Sequence, residues 1–206
     1  MSNLNFPKIT VILRGYNYEQ VNAVMSVLND SDKKYAVEIT LNSPDVFTTI
    51  TKISKSYGNK FLIGAGTVLN FESAQQAIDA GAQFILSPIK LEKEVLDFCK
   101  QKNVLTVPAA MTPSEVYELQ SNGADIVKVF PAKTVGSKFF NDIQAPLGKL
   151  SLMAVGGVSS TNVNEFLDNG ASYVGIASGI FEKQDIENQN IDGLKEALAS
   201  FENIVY

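Results

Sequence analysis

A lysine set among aliphatic residues is the first feature of this sequence with chemical consequences. In Ile126-Val127-Lys128-Val129-Phe130-Pro131 the amine lies inside an apolar run. Loss of water disfavours its ammonium form and exposes a neutral lone pair, the state that attacks a ketone to give a Schiff base. The same placement also suits a lysine that snorkels to a strand end or props a buried carboxylate. Glu38, in Tyr35-Ala36-Val37-Glu38-Ile39-Thr40-Leu41, is the second charge inside an apolar strand. Alternation puts Ala36, Glu38 and Thr40 on one face and Val37, Ile39 and Leu41 on the other. Ile126, Lys128 and Phe130 share a face in the same way. An inward Glu and an inward Lys form either an acid–base and nucleophile pair or a mutual salt bridge. Desolvation makes the bridge a weak source of stability, which tilts the balance toward chemistry.

Other residues complete a candidate site. Arg14 ends the run Thr10-Val11-Ile12-Leu13-Arg14 on the face of Ile12, where its planar fork can hold a carboxylate or phosphate, or simply sit solvated at a rim. Glycines end three further runs: Gly64-Ala65-Gly66-Thr67, Gly156-Gly157, and Gly175-Ile176-Ala177-Ser178-Gly179. Turns after the last two strands of an eight-stranded barrel are a usual phosphate site, with backbone N–H groups as donors. Lys133, beyond Pro131, is a second amine, but its loop position leaves it solvated. Cys99 falls at helical spacing with Leu91, Val95 and Phe98, which marks it as core.

What the chain lacks narrows the chemistry. It has 206 residues, a net charge of −5, one cysteine and no histidine. A Ser-His-Asp triad, a His-paired cysteine nucleophile and a histidine-ligated metal are excluded. One cysteine allows no intrachain disulfide and no thiolate cage. The acidic balance argues against nucleic acid as a partner. No apolar run is long enough to span a bilayer, and the polar opening Met1-Ser2-Asn3-Leu4-Asn5-Phe6-Pro7 does not resemble a secretory signal. These features predict a soluble, cytoplasmic protein.

The elements that must position these residues follow a strand-then-helix rhythm. Runs of Val, Ile, Phe and Leu begin near residues 9, 35, 61, 84, 104, 126, 150 and 173. Each gap holds one strand, one helix and two short loops. Val21, Val24, Met25 and Leu28, and again Leu194, Ala197, Leu198 and Phe201, have the spacing of an amphipathic helix face. Thr112-Pro113-Ser114-Glu115 is a capping box with proline at the first helical position, and Ser43-Pro44 offers a similar start. Gly81, Gly123 and Gly170 suit the left-handed residue that ends a helix. Eight units predict a single (β/α)8 TIM barrel over residues 1–206, with a doubly wound open sheet as the rival.

With these motifs in hand, the sequence resembles the class I aldolases that cleave 2-keto-3-deoxy-6-phosphogluconate and 4-hydroxy-2-oxoglutarate. The resemblance runs nearly the whole chain, through Val11–Gly15, Val37–Leu41, Ile63–Leu69, Leu86-Ser87-Pro88, Met111–Glu115, Val127–Ala132 and Gly156-Gly157-Val158. It implies a lyase in which Lys128 forms the Schiff base and Glu38 is the general acid/base. It places Arg14, Thr67, Pro88 and Phe130 on the substrate and Gly156, Gly157 and Ser178 on its phosphate. It further implies a homotrimer acting on a small keto acid, with no metal and no cofactor. The chain departs from the family pattern at Asn42, Ile89, Ala109 and Val155. Two alternatives stand beside the aldolase. One is a phosphate-binding isomerase or epimerase that uses Glu38 for proton transfer. The other is a homologue that binds ligand without turnover.

Overall fold

The computed structural model describes residues 5–205. Nine parallel strands form one sheet: β1 (Ile9–Leu13), β2 (Tyr35–Thr40), β3 (Leu62–Gly66), β4 (Phe84–Leu86), β5 (Leu105–Val107), β6 (Ala109–Ala110), β7 (Val127–Val129), β8 (Leu152–Val155) and β9 (Tyr173–Ile176). Their order around the sheet is β5-β4-β3-β2-β1-β9-β8-β7-β6. The two ends of that order are consecutive pieces of one segment. Pro108 separates them, because a residue without an N–H cannot donate to a ladder. Its carbonyl still accepts the Lys128 N–H at 2.8 Å, while Val107 O on the other flank accepts the Ser87 N–H at 3.1 Å. One broken strand thus pairs on both edges and closes an eight-stranded (β/α)8 barrel. An open doubly wound sheet would instead reverse its order at a switch point.

The helices are α1 (Tyr18–Asn29), α2 (Val46–Tyr57), α3 (Phe71–Asp79), α4 (Lys93–Gln101), α5 (Pro113–Ser121), α6 (Ala132–Val135), α7 (Phe139–Leu147), α8 (Val163–Asp168), α9 (Lys183–Glu187) and α10 (Ile191–Val205). α6 and α9 are short additions to the eight-unit pattern. The Thr112 hydroxyl accepts from the Glu115 N–H and the Glu115 carboxylate accepts from the Thr112 N–H, so the capping box forms. Gly81, Gly123 and Gly170 all take positive φ at helix ends. Ser43-Pro44, however, does not start α2. The Ser43 hydroxyl instead accepts the Gly15 N–H, and Asp45, in a left-handed conformation, precedes Val46.

Strand alternation builds two apolar layers. Val11, Val37, Ile39, Val127, Val129 and Ala154 face outward and pack with helix residues such as Val21, Ile50 and Leu198. Inside the barrel lie Phe6, Ile12, Ala36, Phe84, Leu86, Val107, Ile126, Met153 and Val155. The Phe6 ring meets Phe84 and Tyr173 edge-on at 5.2 and 5.4 Å. Both partners stand at the first residues of their strands, so Phe6 closes the barrel from below. Burial on both faces explains why the strands read as nearly continuous apolar runs. It also makes any charge on the inner face conspicuous.

Candidate active site

β2 and β7 are the second and sixth of the eight barrel strands and stand on opposite walls. Glu38 lies in register with Ile12 on β1 and Gly64 on β3. Lys128 lies in register with Ala109 on β6 and Met153 on β8. Both charges are almost completely buried, at 1% and 3% exposure. Among the described residues neither enters a direct salt bridge, and Glu38 Oε2 has no hydrogen-bond partner. Burial pushes the Glu38 carboxyl up to about 7, against the opposing pull of Lys128 and Arg14. Burial also lowers the Lys128 amine to about 8; Glu38 opposes that shift and Arg14 adds to it. The Lys128 Nζ sits 4.7 Å from the centre of the Phe130 ring. The result is an amine and a carboxyl that both change charge near neutrality without cancelling each other.

Room for this pair comes from β3. A side chain at Gly66 would overlap Glu38 Oε1, and one at Gly64 would overlap the Phe84 ring. Glycines at i and i+2 of one strand clear the inner face for a carboxylate and an aromatic ring on the neighbouring strands. Read from sequence, Gly64-Ala65-Gly66 is grouped with the glycine turns. In the structure it is strand, and its glycines serve packing. The turn begins at Thr67, a β-branched residue at φ 61°. That conformation is sterically costly for such a residue, and outliers of this kind gather at ligand sites.

The remaining candidates lie around the same C-terminal mouth. Arg14 follows β1, is exposed, and is close enough to influence both buried charges. Its loop is tied down where the Gly15 N–H donates to Ser43 Oγ at 2.8 Å, and Ser43 Oγ lies 3.3 Å from the buried Thr40 hydroxyl. Pro88 and Phe130 line a pocket of about 240 Å3 with Ile89, Ala110 and Met111. Gly156 and Gly157 follow β8 at φ 91° and 84°, and a side chain at Gly156 would press on the Phe130 ring. Ser178 is exposed on the turn after β9, whose Gly179 packs on Ser159 of the β8 turn. Val155, on the inner face, clusters with Ile12 and Met153, all three lying around the space that a side chain at Gly175 would enter. Of the departures from the family pattern, Asn42 and Ile89 are exposed, whereas Ala109 and Val155 are buried.

Sequence reading counts Gly66 among the glycine turns and Ser43 as a helix start, and anticipates neither the packing of Gly66 on Glu38 nor the bond of Ser43 to Gly15. The signal for Gly66 was the i, i+2 glycine spacing inside a strand; for Ser43 there was none. Cys99 is buried and its thiol is pushed up to about 12 by that burial, which makes it inert at neutral pH. Among the described residues, no group of three or more acidic or cysteine side chains is placed to hold a metal ion.

Comparison with known proteins agrees with this geometry. The family model described as KDPG and KHG aldolase matches residues 2–197. A probable 2-dehydro-3-deoxy-6-phosphogalactonate aldolase of Rhizobium meliloti (strain 1021) is 34% identical over 84% of this chain and 82% of its own. The 2-dehydro-3-deoxy-6-phosphogalactonate aldolase of Escherichia coli (strain K12) is 30% identical over 94% of this chain and 92% of its own. A solved structure described as native KDPGal superposes with a TM-score of 0.84 at 28% identity, covering 100% of this chain and 98% of that one. With two buried groups of opposite charge type facing each other at the mouth of a (β/α)8 barrel, the chain belongs to the KDPG and KHG aldolase family.

Proposed function

We propose that this chain is a Schiff-base aldolase that splits a 2-dehydro-3-deoxy-6-phospho sugar acid into pyruvate and glyceraldehyde 3-phosphate. The observation that carries this reading is that Lys128 and Glu38 are buried on opposite walls without pairing. Neutral Lys128 attacks the C2 ketone; the carbinolamine loses water and becomes an iminium. Glu38, as carboxylate, takes the proton of the C4 hydroxyl. The C3–C4 bond breaks, its electrons move to the iminium nitrogen, and C4 leaves as an aldehyde. The enamine that remains takes a proton at C3, and water then hydrolyses the imine to release pyruvate and the free amine. Arg14 and Thr67 hold the keto-acid end. Pro88 and Phe130 wall the reacting carbons, and Gly156, Gly157 and Ser178 receive the phosphate.

The phosphogalactonate and phosphogluconate compounds differ only in configuration at C4 and yield the same two products. Relatives matching 84% and 94% of this chain are named for the galactonate compound and one matching 75% for phosphogluconate, so the galactonate compound is the first substrate to assay, ahead of phosphogluconate and 4-hydroxy-2-oxoglutarate. The family resemblance further supports a cytoplasmic homotrimer, which sedimentation of the purified chain measures directly.

The test is covalent capture. Incubation with pyruvate and borohydride, followed by peptide mass mapping, should place a reduced pyruvyl group on Lys128. A folded protein that binds keto acid and gains no adduct would refute the mechanism. Pyruvate release from the two C4 epimers then ranks the substrates.

A further inference from the structure

The Lys133 side chain lies across the Gly156-Gly157 turn. A Cβ on Gly157 would sit 2.6 Å from Lys133 Cβ and 2.7 Å from its Cδ, so the aliphatic stem is laid directly on this glycine. The backbone fixes the approach, because the Lys133 N–H donates to Gly156 O at 2.9 Å. On its other side the turn is held by Asn162, whose side-chain amide donates to Gly157 O at 2.8 Å. Gly179 packs on Ser159 and brings the turn after β9 against the turn after β8. Among the described residues, the N–H groups of Gly157, Ser178 and Gly179 donate to no protein acceptor, and no carboxylate forms an ion pair with Lys133. Unclaimed backbone donors beside the stem of a lysine with no ion-pair partner suit an anion of high charge density.

We propose that Lys133 is a phosphate-binding residue, its ammonium closing an anion site whose other donors are the N–H groups of Gly157, Ser178 and Gly179. The inference rests on the aldolase reading for the identity of the ligand, the terminal phosphate monoester of the substrate. It adds a cation to a site otherwise built of neutral donors. It also makes Lys133 a determinant of specificity, favouring phosphorylated over unphosphorylated keto acids.

Two measurements test it. In the first, glycerol 3-phosphate is titrated into the wild-type chain and the Lys133→Gln variant by calorimetry, with glycerol as the uncharged control. This needs no turnover, so it stays informative even if pyruvate fails to label Lys128. The second is the ratio of kcat/KM for a phosphorylated keto acid to that for its unphosphorylated counterpart. Lys133→Gln should weaken glycerol 3-phosphate about tenfold and lower the ratio by a similar factor, mainly through KM. Lys133→Arg should keep both within about threefold of wild type, since it retains the charge. Lys149→Gln removes the same charge from the opposite end of the barrel and should change neither. Equal effects of the Lys133 and Lys149 variants, or unchanged phosphate affinity in Lys133→Gln, would overturn the assignment.

Discussion

Gly66 and Glu38 occupy adjoining space so closely that a single methyl group on the glycine would overlap the carboxylate oxygen. The glycine is in the strand, at a backbone angle open to any residue, so its small size is what the site requires. Gly66→Ala should therefore displace the carboxylate without unfolding the barrel. We expect a fall in kcat on the order of 100-fold or more, the usual scale for loss of a general acid–base group. Pyruvate trapping at Lys128, on the opposite wall, should persist. A variant that cleaves at the wild-type rate would show that Glu38 has no part in the proton transfer.

The two buried charges also predict an unusual dependence of stability on pH. Glu38 titrates near 7 in the folded chain, against about 4.3 in an unfolded one. Between those values the folded state holds a proton that the unfolded state has lost, so stability falls as pH rises toward 7. Lys128 titrates near 8 when folded, against about 10.4 when unfolded. Between those values the unfolded state holds the extra proton, so stability recovers as pH climbs above 8. Their joint contribution to the melting temperature is a trough between about pH 7 and 8. Glu38→Gln should remove the acid-side decline and Lys128→Met the alkaline recovery, each raising the melting temperature in the trough by several degrees. Superimposable curves for wild type and both variants would contradict the charge states described.

Ser43 reaches from the end of β2 to the loop that carries Arg14. Ser43→Ala removes the acceptor of the Gly15 N–H and should cost about 1 kcal/mol in denaturant unfolding. With its loop loosened, Arg14 should bind the keto acid more weakly. The variant should raise KM severalfold with little change in kcat, and Ser43→Thr should restore it. A loss of kcat at unchanged KM would place Ser43 in the chemical step instead.

Thr67 holds a left-handed backbone that a β-branched residue adopts only at a cost of about 1–2 kcal/mol. Thr67→Gly relieves it, although glycine gives part of that back through the freedom of its unfolded chain. We expect equilibrium stability within about 1 kcal/mol of wild type together with a raised KM for the keto acid. Marked destabilisation would mean that the threonine side chain anchors the fold.

Much of this architecture was legible in the chain itself. The strand starts inferred near 61, 104, 126 and 150 fall at 62, 105, 127 and 152, because alternation and punctuation are local signals. The inward orientation of Ile126, Lys128 and Phe130 followed from the same alternation. What could not be read was anything set by a neighbour. The function of Gly66 depends on a carboxylate on β2, and the use of the Ser43 hydroxyl depends on Gly15 on another loop. The break at Pro108 was visible as a proline, but not that both pieces would pair on opposite edges and close the ring. The reach of Lys133 was hidden in the same way. From sequence it is a solvated loop residue; in the structure it is exposed on α6, and the packing of that helix on the turn after β8 brings its stem onto Gly157.

Phe6 gives the barrel a stopper. Its ring meets Phe84 and Tyr173 edge-on at the first residues of their strands and fills the end of the interior away from the C-terminal mouth. In the proposed reaction the aldehyde leaves through the mouth, while Glu38, protonated in the cleavage step, already holds a proton for the enamine. An aromatic ring at the far end of the barrel, which touches no substrate, thus leaves the inner-face carboxyl as the proton carrier nearest the reacting carbons.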